Sequence, residues 1–185
     1  MDRHPIETLT SFGKRARDIQ DHLFTLYSIS LGMKAKTVLE IGVRNGYSTT
    51  AFLLAMKETG GTLWSVDIGP CVRAAKRLDE MGLTKHWKFI LGSSPQVLRK
   101  WKRTIDICFI DGDHSLAGVT ADFNYCSRFV RKHGLILMHD SYCPSNVAER
   151  GAFGVHLLVS DLRTRRELEV VTLPYCNGLT IIRKL

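Results

Sequence analysis

The sequence predicts a doubly wound α/β fold with a mostly parallel, seven-stranded sheet, and three observations carry that reading. Short apolar runs of four to six residues alternate with stretches whose apolar residues recur at helical spacing. Most of these runs end at a turn bearing a polar or acidic side chain, with Glu40, Asp67, Ser93, Asp111 and Asp140 at or just past their ends. The last two runs are joined by residues 174–178 alone, which makes them a hairpin and gives the sheet one antiparallel edge strand.

Taken in order, apolar positions after Pro5 (Ile19, Leu23, Leu26, Tyr27 and Ile29) predict a helix or helix pair within residues 6–33. One domain is expected over 1–185, with an N-terminal helical segment (1–34) ahead of an α/β core (35–185). Residues 37–41 are too short for a helix and form strand one. A turn with Gly42 and Gly46 follows, then a helix from Ser48 that Gly60 and Gly61 break. Strand two is 62–66, with Asp67 at its tip. A helix over 71–81 starts after Pro70, and strand three is 87–91. Ser94 reads as the cap of the next helix, with Pro95 as its first residue. Strand four, 105–110, is nearly all apolar and delivers Asp111, Gly112, Asp113, His114 and Ser115. The helix after it is expected to run to about Lys132 and stop at His133 and Gly134. Strand five, 135–138, delivers His139, Asp140 and Ser141. Residues 141–153 read as a mobile loop beside the site, 155–165 as a helix, and 168–173 and 179–183 as the closing strands.

With 185 residues, 44% of them hydrophobic and 24% charged, the composition is that of a soluble domain with a real core. The sequence shows no leader pattern and no apolar run of membrane-spanning length, so a cytoplasmic protein away from membranes is expected. Cys71, Cys108, Cys126, Cys143 and Cys176 are odd in number, scattered and free of C-x-x-C spacing, which argues for reduced thiols. The net charge of +8 is spread over several helical segments, where cations suit solvated faces and C-terminal turns. Nucleic acid is therefore disfavoured as a partner, since no recognised binding motif accompanies the charge.

In an open parallel sheet, ligands bind beyond the carboxyl ends of the strands. Strand, glycine turn and helix bring backbone N–H groups and a helix N-terminus to that edge. Glu40 suits a cationic or amino-bearing ligand rather than a pyrophosphate, and the spacing misses the G-x-G-x-x-G of dinucleotide binders. Asp67 follows Gly42 by about 25 residues, near the offset at which a carboxylate takes ribose hydroxyls.

The segments VLEIGVRNGYS, SVDIG, LGSSPQVL, FIDGDHS and HDS together resemble a class I S-adenosylmethionine-dependent methyltransferase. More narrowly, they are similar to the catechol O-methyltransferase-like group and the small metal-dependent sugar O-methyltransferases, over roughly residues 35–140. The resemblance implies a Rossmann-like methyltransferase fold with S-adenosyl-L-methionine as cofactor. It places Glu40, Gly42 and Gly46 against the methionine part, Tyr47 and Ser48 near its carboxylate, and Asp67 on the ribose hydroxyls. Ser94 would border the adenine, and Asp111 would sit beneath the methionine amine and face the substrate.

The sugar enzymes hold a divalent metal with the first Asp of an Asp-x-Asp and an acidic pair after strand five, the second Asp serving as base. Asp111 and Asp113 fit that pattern, whereas His139 and Asp140 replace the pair, and Ser141 stands where the catechol enzymes have Asn. Asp111, His139 and Asp140 are thus the candidate ligands, His139 the weakest, for a magnesium or, better suited to a histidine, a manganese ion. Metal use itself stays open. Asp113 is the first candidate for the base and His114 its competitor. The expected activity is O-methylation of a small hydroxylated acceptor, with metal assistance in question. Nucleic-acid methylation and non-catalytic cofactor binding are the alternatives. Nothing fixes the acceptor, and a homodimer is compatible with so short a chain.

Overall fold

The computed structural model describes residues 4–14, 18–142 and 153–185. Seven strands form one sheet: β1 (Thr37–Ile41), β2 (Thr62–Asp67), β3 (Trp87–Leu91), β4 (Ile105–Ile110), β5 (Val130–His139), β6 (Leu168–Leu173) and β7 (Leu179–Lys184). Their order is β3-β2-β1-β4-β5-β7-β6, parallel from β3 through to β5. β7 pairs antiparallel with both β5 and β6, so the strand running against the rest lies one place in from the edge. The helices are α1 (Pro5–Gly13), α2 (Leu23–Gly32), α3 (Tyr47–Thr59), α4 (Val72–Glu80), α5 (Ser94–Leu98), α6 (Leu116–Cys126) and α7 (Phe153–Leu162).

Alternation along each strand sends successive side chains to opposite faces, and both faces are covered. Ile107 and Phe109 of β4 enter one core with Leu9, Leu23 and Leu26 from the N-terminal segment and residues 51–56 of α3. Cys108 and Ile110 enter the other, against Leu98, Val119, Phe123 and Leu158 from α5, α6 and α7. The N-terminal segment is also tied to the sheet's carboxyl edge. Phe12 packs edge-on against Tyr47 with ring centroids 5.6 Å apart, and the Arg77 guanidinium lies over both rings.

Two sequence expectations are corrected. The helix expected to reach Lys132 ends at Cys126, and β5 already begins at Val130. Basic residues 128–132 read as a helix C-terminus, but pairing across the sheet wins: Val130 stands opposite Ile105, and Arg131 Nε donates to Asp106 Oδ1 at 2.6 Å. His133 is left-handed (φ 61°), in the stretch where the pairing shifts register between Val130 and Leu135. At α5 the cap position is Ser93, not Ser94. Ser94 is already helical, and its hydroxyl donates to Asp122 instead of capping. The expected loop over 141–153, with Cys143, lies outside the described residues apart from Ser141, Tyr142 and Phe153.

Candidate active site

Strand order reverses between β1 and β4, the point at which an open α/β sheet forms a crevice at its carboxyl edge. A cavity of about 590 Å³ opens there. Its walls come from Gly42 and Arg44 after β1, Asp67 and Ile68 after β2, Gly92 to Pro95 after β3, and Asp111 to Asp113 after β4. Gly42 is required by two facts: its φ is +92°, and a Cβ there would lie 2.1 Å from the Asp111 carbonyl oxygen. The loops after β1 and β4 can approach this closely only without a side chain.

Asp67 is held as a fixed acceptor. Its Oδ2 takes the N–H groups of Val43 (2.8 Å) and Arg44 (3.1 Å), and its Oδ1 takes that of Gly69 (2.8 Å). Partial burial pushes its pKa up, but those three donors and the Cys71 thiol more than offset this and hold it below the usual carboxylate range. The carboxylate also lines the cavity, where a ligand's vicinal hydroxyls can replace the weak thiol donor.

Of the residues singled out for the cofactor, Gly42, Asp67, Ser94 and Asp111 line the cavity, while Glu40, Gly46, Tyr47 and Ser48 do not. Glu40 is fully buried and accepts from Ser48 Oγ (2.7 Å), Thr49 Oγ1 (2.9 Å) and Ser65 Oγ (2.6 Å). Burial raises its pKa to about 7 despite these hydroxyls, with the Asp111 charge adding to the rise. Gly46, left-handed at φ +71°, caps α3, and a Cβ on it would press within 2.8 Å of Ala74.

Beside the cavity, Asp111, His139 and Asp140 each offer one ligand atom within 4.8 Å of the others. His139 is 2% exposed and its Nε2–H donates to the Cys176 carbonyl at 3.1 Å. That bond orients the ring and aims Nδ1 between Asp111 Oδ1 and Asp140 Oδ2, 3.4 Å from each. Burial opposes charging the ring, but the two carboxylates outweigh it and raise His139 to about 10. Two carboxylates and an imidazole this close together are a donor set that a divalent cation can take. Asp140 takes a left-handed backbone (φ +54°), which Asp tolerates better than most residues.

His114 Nε2 is buried 3.2 Å from Asp140 Oδ2 and 3.5 Å from Asp111 Oδ1. The Asp111 carboxylate, outweighing burial and joined by Asp140, raises its pKa. Asp113 lies apart from this group. It lines the cavity, and its Oδ1 accepts from the Ser115 N–H at 2.9 Å.

Three contributors escaped the sequence reading. Asn177, in the turn between β6 and β7, hydrogen-bonds Asp140 and helps hold its pKa down. An Asn thus reaches Asp140 from the turn, while Ser141 faces inward to accept from Thr180 Oγ1 at 2.7 Å. His22 is fully buried and donates from Nε2 to the Tyr175 carbonyl (2.9 Å), so two histidines are anchored on successive carbonyls of one turn. Asp122 of α6 joins the cavity wall beside Ser94. Residues 174–178 read as the connection of a hairpin, but no spacing in the sequence says which strand end that turn faces.

Comparison with known proteins agrees with this geometry. A family model described as a methyltransferase domain matches residues 39–141, more than half of the chain. The O-methyltransferase ankF of Aspergillus thermomutatus is 26% identical over 170 residues, covering 81% of this chain and 71% of its own length. Among solved structures, the O-methyltransferase TomG of Streptomyces achromogenes, in complex with S-adenosylmethionine, superposes with a TM-score of 0.78. It shares 17% identity and covers all of this chain and 91% of its own. An O-methyltransferase of Bacillus cereus in complex with S-adenosylhomocysteine gives a TM-score of 0.76 at 16% identity, covering 98% of this chain and 90% of its own. Among the described residues no helix is long and apolar enough to cross a membrane. With a sheet of this topology, a cavity at its switch point and a family model spanning both, the chain belongs to the class I S-adenosylmethionine-dependent methyltransferase domain family.

Proposed function

We propose that this protein transfers the methyl group of S-adenosylmethionine to a hydroxyl oxygen of a small molecule, beside a divalent cation held by Asp111, His139 and Asp140. The observation that carries this reading is the position of Asp111, which both lines the cofactor cavity and belongs to the candidate ligand trio. An acceptor held at the trio would therefore adjoin the cofactor. The donor set of two carboxylates and an oriented imidazole fits manganese better than magnesium. Such a cation would lower the pKa of a hydroxyl bound to it.

The chain's own residues align and deprotonate. Asp67 holds the ribose, Gly42 lets the loops after β1 and β4 close on the cofactor, and Ser94 borders the adenine. Glu40 stands behind the methionine end, where its charge favours the amine and sulfonium. Tyr47 and Ser48 support that turn through their packing and hydrogen bond. His114, in its neutral form, is the base, its Nε2 standing 3.2 Å from Asp140 Oδ2 and 3.5 Å from Asp111 Oδ1, while Asp113 Oδ1 already accepts from the Ser115 N–H. The acceptor oxygen attacks the methyl carbon in line with the breaking C–S bond. Its proton passes to His114, and the sulfonium leaves as a neutral thioether. Residues 1–185 act as one domain in this reading, supported by the core that the N-terminal leucines share with α3. A cytoplasmic setting accords with the free thiols of Cys71, Cys108, Cys126 and Cys176.

Calorimetry with S-adenosylhomocysteine and, separately, with Mn²⁺ tests the two halves. Mass-spectrometric detection of methyl transfer to a panel of phenols and vicinal diols tests the reaction. Absence of S-adenosylhomocysteine binding would remove the cofactor reading, and turnover indifferent to chelator would remove the metal alone.

A further inference from the structure

We propose that Asp122 reads the 6-amino group of the cofactor's adenine, making it the residue by which this cavity tells adenosyl from other purine nucleosides. The proposal rests on the cofactor reading above and adds a residue, on α6, that the sequence motifs do not reach. Asp122 is 3% exposed, yet its carboxyl group forms part of the cavity wall. Ser94 Oγ donates to its Oδ1, which leaves Oδ2 without a donor of its own. A Cβ on Gly112 would lie 3.5 Å from Oδ2. Gly112, Gly118 and Ala121 keep this stretch of wall free of bulky side chains, with Ile68 and Pro95 also lining the cavity. Such a slot suits a flat ring, and Asp67, the ribose acceptor, lines the same cavity from β2.

The chemistry at the slot selects the ring. Burial raises the pKa of Asp122 to about 6, against the pull of the Ser94 hydroxyl, so near neutral pH the group is chiefly an anion. A buried carboxylate with one hydroxyl donor is under-solvated and gains from a second N–H. On adenine, the group at position 6 is an amine and the ring nitrogens are acceptors, so the amine is the base's only N–H donor. Hypoxanthine carries a carbonyl at that position, and its oxygen would face the carboxylate acceptor to acceptor.

The test is calorimetry of the full chain with S-adenosylhomocysteine and S-inosylhomocysteine. Wild type is expected to favour the adenosyl ligand by about tenfold to a hundredfold, the worth of one hydrogen bond to a charged group. In Asp122→Asn the side-chain amide can turn its NH₂ toward the inosine carbonyl, so the preference should vanish or reverse. Asp122→Ala should lower adenosyl affinity to the inosyl level. Retained inosyl binding and an unchanged circular dichroism spectrum show that the variants fold. The proposal is overturned if either variant keeps the wild-type preference, if both ligands weaken in parallel, or if wild type favours the inosyl ligand. Wild type binding neither ligand would overturn the cofactor reading and this proposal together, whereas the other failures leave the cofactor reading standing.

Discussion

At the β1–β4 end of the functional rim, the important contacts join neighbouring strand tips: a carboxylate or glycine at one tip meets backbone groups of the adjoining loops. Asp67 takes three N–H groups, and Gly42 nearly touches the Asp111 carbonyl. At the β5–β7 end, His139 and Asp140 are oriented by Cys176 and Asn177, from a turn almost forty residues further along the chain. That turn runs through three consecutive left-handed residues, with φ of 48°, 62° and 87° at Cys176, Asn177 and Gly178. The first end is built by strand tips meeting neighbouring backbone, the second by a distant segment held in a costly conformation. One follows from parallel strands that end along one edge. The other exists only once β7 has docked beside β5.

This contrast can be broken by substitution. The largest effect is expected from Gly42→Ala, which must clear a backbone oxygen while adopting a left-handed φ. A loss of about 3 kcal/mol or more in denaturant unfolding, with abolished S-adenosylhomocysteine binding, is the expected result. Next, Asp67→Ala should weaken S-adenosylhomocysteine about a hundredfold and leave Mn²⁺ affinity within about threefold, and His139→Ala should do the reverse. Calorimetry in which each variant loses both ligands equally would show one cooperative site and end the comparison.

Glu40 sharpens it through pH. Its pKa rises from 4.5 in the unfolded chain to about 7 in the fold, so between these values the native state holds the extra proton. Its contribution to stability is complete below pH 4.5, is lost as pH rises through 7, and amounts to about 3 kcal/mol. Glu40→Gln should remove that decline, gaining on wild type from pH 5 to pH 8 in urea melts. The smallest effect belongs to Asn177→Gly. Glycine accepts the φ of +62° but cannot reach Asp140, so Mn²⁺ should bind about tenfold more weakly with unfolding unchanged.

What the sequence revealed follows the same division. The bounds of β1, β3 and β4 were readable to the residue, because short apolar runs between turn signals admit little else. Asp67, Asp111 and the His139-Asp140 pair were readable because strand tips in a parallel sheet share one edge. The start of β5 was not, since a helix pattern and a basic turn continue through residues 127–132 until pairing with Ile105 overrides them. Asn177, His22 and Asp122 were hidden for another reason. Each matters through a neighbour fixed by strand order or helix packing, which residue spacing does not encode.

The insertion of β7 between β5 and β6 has a consequence for a chain made from its N-terminus. Every residue of the cofactor cavity has been synthesised by Asp122, but the turn that steers His139 and Asp140 is complete only at Gly178. A growing chain can therefore acquire its place for the methyl donor well before its acceptor end is set, so methyl transfer should begin only after the final hairpin has closed.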